Sequence, residues 1–234
     1  MSEDLAVLHD FLNFWREESM ASHPDNLFMI SRWEAKAREA LPSLLQDNSH
    51  LSAEELADLA DKLSPGGVHT GASLLLWILD EEIGVDPLLV AAIIRANWKG
   101  GARGFQFLPD TAEMRTPEDY EWLAETLINR LGSPCAGDPL RLLTASDRAL
   151  YLSLPERFTV YRGCGGVSEE MARHGVCWTL TRSSAEYFAT RARLEPVLLS
   201  ANIRKSQVAT VFDSEGGEIV VKPKTVEVLK WSSP

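Results

Sequence analysis

The sequence predicts an α+β protein in which a helical part, residues 1–150, precedes a strand-rich part, residues 151–234. The first part has apolar residues at helical spacing and several helix-start signals, whereas the second has short β-rich runs linked by tight turns. The charge changes at the same place, with 25 acidic and 12 basic side chains up to residue 150 and 9 and 11 after it. Together these observations predict two domains with different roles.

The helical part is recognised by its capping residues. Ser52 and Glu55 have the spacing of a capping box in front of an apolar run. Two further starts, at 86–87 and 116–117, place a capping residue before a first-turn proline. One face of the first helix carries leucines and a tryptophan, at Leu5, Leu8, Leu12 and Trp15. These patterns predict helices but no catalytic or binding motif. The helical part could therefore serve as a regulator, a substrate-docking module or a partner-binding face.

In the strand-rich part, we predict strands near 158–162, 175–180, 196–203, 207–212, 217–222 and 224–229. Helices are predicted near 167–173 and 183–191. The second of these helices should open with a capping box of Ser183 and Glu186. Strands with few helices, mostly joined by tight turns, favour two small sheets around a cleft.

Composition limits the classes of protein to which the chain can belong. Of its 234 residues, 45 % are hydrophobic and 24 % are charged, as in ordinary globular proteins. No apolar run approaches the roughly 20 residues of a membrane span, and the acidic N-terminus lacks the leader of an exported protein. We therefore expect a cytoplasmic protein without membrane contact.

Cysteine and histidine usage argues against a disulfide framework and against a metal site. The three cysteines have neither C-x-x-C spacing nor an even count, which favours a reducing compartment. The five histidines include no pair at the i, i+4 spacing of a helical metal site. We predict no metal cofactor.

The uneven charge has two interpretations. The strongly acidic first part should repel nucleic acid, while the nearly neutral second part is free to bind an anionic dinucleotide. A solvated acidic surface without any special function explains the first part equally well.

The strand predicted at 158–162 ends on an arginine. Because side chains alternate along a strand, Phe158, Val160 and Arg162 share one face. An arginine on an apolar face needs a carboxylate or phosphate partner, and its planar fork suits a diphosphate. The same pattern also fits a buried ion pair with a nearby acid.

Two later segments place polar residues as a ligand-facing site would. On the strand predicted at 175–180, Cys177 and Thr179 share one face, and apolar residues share the other. Glu218 opens a later strand behind two glycines. An edge strand half in water and an exposed strand end would produce the same two patterns.

In this order, the three segments resemble the arginine–serine–glutamate class of the ADP-ribosyltransferase family over about residues 155–230. The resemblance implies a split β-sandwich domain at 151–234 with NAD⁺ as co-substrate between its sheets. Arg162 would hold the diphosphate, and Gly163 would let the backbone approach the ligand. We expect Arg162, Thr179 and Glu218 to line a common cleft.

The resemblance also implies how the reaction is catalysed. Loss of nicotinamide from NAD⁺ passes through an oxocarbenium-like ribosyl cation. Glu218, hydrogen-bonded to the ribose 2′-OH, would stabilise that cation, with Cys177 bonding the glutamate and Thr179 near the nicotinamide. Tyr187 or Phe188 would flank the nicotinamide, although packing of the helix on the sheet explains these aromatic residues equally well.

Two departures from the family pattern bear on the chemistry. Cys177 offers a weak thiol donor where the family usually has serine. The role of orienting the glutamate therefore depends more on Thr179. Gly216 stands two residues before Glu218, where arginine-directed members resemble Glu-x-Glu. Glu215 would face away in a regular strand unless the glycines bulge. We therefore do not predict arginine as the acceptor.

The resemblance therefore implies a transferase that moves ADP-ribose to a protein, nucleic-acid or small-molecule acceptor. Enzymes that resemble it are often bacterial or phage toxins, effectors or defence factors, and an antitoxin or regulatory protein on the helical domain would fit such a role. An interaction protein that keeps the fold but has lost the chemistry, and an NAD⁺ glycohydrolase with water as acceptor, are the alternatives.

Overall fold

A computed structural model of the chain describes residues 2–64, 74–75, 77–78, 81, 83–99, 117–132, 138, 140–166, 168–191, 195–213, 217–222 and 227–230. The chain divides into two compact units, Met1–Asp110 with Ser133–Cys135, and Thr111–Gly132 with Ala136–Pro234. Helices and an antiparallel sheet together confirm the α+β class.

The first unit is built from helices α1 (Glu3–Ser22), α2 (Leu27–Ala40), α3 (Ala53–Leu63) and α4 (Pro87–Lys99), with 3₁₀ turns at Pro24–Asn26 and Leu41–Leu45. Its interior is mainly leucine and isoleucine, with Leu8, Leu12, Leu41, Leu56, Leu63, Leu89 and Ile93 almost fully buried. Of the residues described, none lies in a helix long and apolar enough to cross a bilayer.

Capping chemistry sets the starts of α3 and α4 as predicted. The Glu55 amide donates to Ser52 Oγ at 3.2 Å, and the Ser52 amide donates back to Glu55 Oε2 at 2.7 Å. That backbone hydrogen bond from Ser52 lowers the pKa of the Glu55 carboxyl. At α4, Asp86 Oδ1 accepts from the Leu88 amide at 3.1 Å, so the predicted cap before Pro87 is confirmed.

In its described residues, the second unit combines helices α5 (Pro117–Gly132), α6 (Ala145–Ser153), α7 (Glu169–Arg173) and α8 (Arg182–Arg191) with six strands. The strands are β1 (Arg157–Gly165), β2 (Cys177–Thr179), β3 (Pro196–Arg204), β4 (Val208–Phe212), β5 (Glu218–Val221) and β6 (Val228–Lys230). Helix α6 packs on β4. A boundary between functional domains after residue 150 stays a prediction.

The described strands form one antiparallel sheet in the order β4-β5-β2-β1-β3-β6. The predicted division into two small sheets is therefore not seen in the described residues. Three strands that are far apart in the sequence, β1, β2 and β5, become neighbours in the centre of the sheet. The three motif segments are thus brought side by side by strand pairing.

One face of the sheet, which we call the core face, is apolar. Val160, Trp178 and Ile219 are at most 2 % exposed there. They pack with Leu143 and Leu154, which flank α6, and with Ala172 of α7. The residues between them on each strand point to the opposite face, which we call the α8 face because α8 covers part of it.

The start of α8 differs from the prediction. The helix begins at Arg182, one residue earlier than expected, and Thr181 caps it by accepting from the Ser184 amide at 3.4 Å. The predicted capping box of Ser183 and Glu186 is therefore wrong. Glu186 instead pairs with Arg182 one turn earlier, at 3.0 Å.

Candidate functional site

A row of polar side chains crosses the α8 face at the centre of the sheet. Thr179 lies opposite Glu218 on β5 and opposite Tyr161 on β1, and Tyr161 lies opposite Ser200 on β3. Residues directly opposite in antiparallel strands have Cβ atoms about 4.5–5.5 Å apart and point to the same face. We call Ser200, Tyr161, Thr179 and Glu218 the polar row.

Burial makes this row unlike an exposed polar surface. Thr179 is 6 % exposed, and the other three members are half-buried. Strand β4 closes the row beyond Glu218 with Phe212, which is fully buried and opposite Glu218. A carboxylate and three hydroxyl groups therefore lie side by side in a partly water-excluded setting, where hydrogen bonds to a ligand are stronger than in water.

Gly217 sets the point at which Glu218 enters the sheet. Its φ is +76°, a conformation that only glycine adopts readily. Its carbonyl accepts from the Leu180 amide at 3.2 Å, which ties the start of β5 to the end of β2. Because Leu180 follows Thr179 directly, this bond keeps the carboxylate and the hydroxyl at neighbouring positions.

Two hydrogen bonds connect Thr179 to a depression at the start of α8. Thr179 Oγ1 accepts from the Thr181 amide at 3.3 Å, and Thr181 Oγ1 donates to Ser184 Oγ at 2.7 Å. The depression has a volume of about 360 Å³, and the described residues that line it are Ser183, Ser184, Tyr187 and Phe188. The depression is shallow and open to solvent, so it would cover only part of a ligand.

The two predicted aromatic residues lie at this depression. Tyr187 is 58 % exposed, and its ring meets that of Phe188 edge to face at 5.6 Å between centroids. Packing of α8 on the sheet involves Ala185 and Ala189, both fully buried, rather than Tyr187. An exposed aromatic ring is therefore available to a ligand at the start of α8.

Gly163 permits a close approach, as predicted, but the approaching group is α8 instead of a ligand. A Cβ atom at Gly163 would lie 1.7 Å from the Ala185 carbonyl oxygen and 2.9 Å from the Ala189 amide nitrogen. The helix backbone therefore occupies the space in front of this glycine. Gly163 allows α8 to sit close enough to place its first turn beside the polar row.

Arg162 does not share the face of Thr179 and Glu218. Tyr161 lies opposite Thr179, so the next residue, Arg162, points to the core face together with Val160. Its Nε donates to the Ala172 carbonyl at 3.0 Å, and its Nη1 donates to the Cys177 carbonyl at 2.7 Å. Thr179 and Glu218 thus lie side by side on one face of the sheet, and Arg162 lies on the other, so the three do not line a common cleft.

Backbone carbonyls therefore accept the hydrogen bonds of Arg162, for which the sequence predicted a carboxylate or phosphate partner. By joining the last turn of α7 to β2 beneath Thr179, Arg162 stabilises the strand that carries the polar row. Gly175 makes room for this arrangement, since a Cβ there would lie 2.0 Å from Arg162 Cζ.

We expect Gly175→Ala to destabilise the protein by about 1–3 kcal/mol, because the guanidinium must leave its two carbonyl partners. Urea unfolding measures the change. In an Arg162→Ala background the same substitution should cost little more, since the group it displaces is gone. Additive losses in the double variant would contradict this explanation.

Cys177 lies on the predicted face but not beside the glutamate. Its register partner on β5 is Val220, whereas Thr179 is the partner of Glu218. The bonding partner expected for Glu218 is therefore Thr179, and the weak thiol donor at Cys177 matters less than the sequence suggested. Glu215 and Gly216 lie outside the described residues.

Tyr161 and Ser200 are the site residues that the sequence argument missed. Tyr161 stands next to Arg162 in the motif, and alternation along the strand places the two side chains on opposite faces. Ser200 sits in the middle of a long strand without any local signal. Only its register with Tyr161 places it in the row.

Among the described residues, no group of three or more histidine, cysteine, aspartate or glutamate side chains is placed to hold a metal ion. Comparison with known proteins adds no family: no family model matches the chain, and no curated protein or solved structure matches it either.

Proposed function

We propose that this protein is an NAD⁺-dependent ADP-ribosyltransferase whose site is the polar row. The observation that carries the proposal is the register of Thr179 with Glu218 on adjacent central strands. The resemblance implies Cys177 as the partner of the glutamate, and here Thr179, two residues further along the same strand, supplies a hydroxyl beside Glu218 instead. The finer fold proposed with it is the ADP-ribosyltransferase-like domain at 151–234.

Glu218 is the proposed catalytic residue. It accepts a hydrogen bond from the 2′-OH of the ribose that bears nicotinamide. As the C1′–N bond breaks, its electron pair leaves with nicotinamide and positive charge grows on the ribose. The carboxylate stabilises that charge more strongly than the ground state, so it accelerates the step.

Thr179 orients the glutamate. A threonine hydroxyl can donate one hydrogen while its oxygen accepts, so the bond from the Thr181 amide is compatible with donation to the carboxylate opposite. Tyr161, on the other side of Thr179, extends the row of donors available to a ribose. Arg162 keeps a positioning role in this scheme, through the Cys177 carbonyl.

The depression on α8 takes part of the dinucleotide. Tyr187 offers an exposed ring for stacking on nicotinamide, and Ser183 and Ser184 offer hydroxyl donors. A pocket of about 360 Å³ holds one end of NAD⁺. The rest of the dinucleotide then runs along the polar row.

The acceptor is a macromolecule or small molecule that reaches C1′ after nicotinamide leaves. Arginine is not proposed, because Gly216 brings no side chain to the position that prepares an arginine acceptor in the family. A toxin or effector role in the cytoplasm, with a regulatory protein bound to the helical unit, fits an enzyme of this kind.

Incubation of the protein with NAD⁺, alone and with candidate protein and nucleic-acid acceptors, tests the proposal. We expect nicotinamide release, and mass spectrometry should show ADP-ribose on an acceptor. Free ADP-ribose as the sole product would identify a glycohydrolase. Binding of NAD⁺ by calorimetry without cleavage would identify an interaction protein that has lost the chemistry. If the protein neither binds nor cleaves NAD⁺, the proposed function is refuted.

A further inference from the structure

A buried carboxylate outside the polar row is connected to the turn that carries Glu218. Asp147, in the first turn of α6, is 1 % exposed. Its Oδ1 accepts from the Asp213 amide at 2.7 Å, and its Oδ2 accepts from Thr144 Oγ1 at 2.6 Å. A fully buried carboxylate is costly, so both of its oxygens need such partners.

The Asp213 amide marks the start of the turn between β4 and β5. Asp213 follows Phe212, the register partner of Glu218, and the turn ends at Gly217. Asp147 therefore holds the chain at the point where it leaves β4. On the same side of α6, Leu150 is partly buried against the apolar cluster that contains Ile219, the residue after Glu218.

Asp147 and Leu150 are three residues apart, so they lie on one side of α6. This side of the helix contacts the end of β4, where the Asp213 amide donates to Asp147. The hydrogen bond limits how far this end of β4 can move. Phe212, the residue before Asp213, is the register partner of Glu218, so the position of β4 bears on where Glu218 stands opposite Thr179.

We propose that Asp147 is a positioning residue that fixes Glu218 in the polar row by anchoring the end of β4, where Phe212 pairs with Glu218. The effect of Asp147 on catalysis rests on the proposed function. The hydrogen bond by which Asp147 anchors Asp213 is independent of that function. It also assigns a part in the site to a residue 66 positions before its hydrogen-bond partner in the sequence.

The test compares Asp147→Ala with Asp147→Asn, because asparagine keeps an oxygen that accepts from Asp213. We expect kcat for nicotinamide release to fall 10- to 100-fold in Asp147→Ala, as for a reacting group displaced by about 1 Å, with KM changed less than about threefold. Asp147→Asn should restore kcat to within about threefold of the wild type. Asp138→Ala is the matched control, since it removes a carboxylate–amide bond of 2.9 Å, to Leu140, away from the turn.

Amide hydrogen exchange gives a readout that does not need activity. In Asp147→Ala, we expect faster exchange at Asp213 and Gly217, with the pairing of β1 and β3 unchanged. Unchanged exchange at the turn, or equal acceleration across the whole sheet, would overturn the anchoring. If the turn loosens but kcat stays at the wild-type value, the positioning role is wrong although the proposed function stands. If the wild type does not cleave NAD⁺ at all, the proposed function fails and the catalytic role of Asp147 fails with it.

Discussion

Glu218→Gln is expected to reduce kcat for nicotinamide release by about 10²–10³-fold while KM changes little. The substitution keeps the size and shape of the side chain and removes its negative charge. Charge on the ribose is largest in the transition state, so the loss falls on kcat and not on binding of NAD⁺. Steady-state assays of nicotinamide release and calorimetric titration with NAD⁺ measure the two effects separately.

A matched control for this experiment is Glu170→Gln, which removes a carboxylate from the exposed first turn of α7. It should leave kcat and KM within about twofold of the wild type, as expected for a surface substitution away from the site. Both variants should unfold at the temperature of the wild type. A Glu218→Gln protein that retains more than about a third of the wild-type kcat would remove the carboxylate from the mechanism.

Gly163→Ala is expected to have the largest effect on stability, about 3 kcal/mol or more. The new Cβ would lie 1.7 Å from the Ala185 carbonyl oxygen, and that atom belongs to the helix backbone and cannot rotate away. Helix α8 must therefore move off β1, taking with it the serines and the tyrosine of the depression. Thermal unfolding should show a midpoint lower by on the order of 10 °C.

Gly132→Ala is the matched control for this second prediction. Gly132 ends α5 in the same unit, and a Cβ there meets no atom within 4 Å. Its stability should stay within about 0.5 kcal/mol of the wild type. Equal losses in the two variants would show that the cost comes from removing glycine flexibility and not from contact with α8.

The sequence alone determined the α+β class and most element positions, and it predicted that Thr179 and Glu218 lie close together. These conclusions depend on local chemistry, namely capping residues, apolar periodicity and alternation along a strand. The residues at 52 and 55 form their cap as predicted, because every partner lies within one turn. At α8 the same reasoning chose Ser183 when Thr181 was the cap, since neighbouring hydroxyls compete for one helix start.

The tertiary structure decided which residues face one another. Alternation tells which side chains share a face within a strand, but the relation between strands depends on register, and a shift of one residue reverses it. For that reason Arg162 lies behind the sheet while Tyr161 and Ser200 join the polar row. The bond from Asp213 to Asp147 and the contact of α8 with Gly163 join distant parts of the chain, and no local pattern in the sequence encodes such contacts.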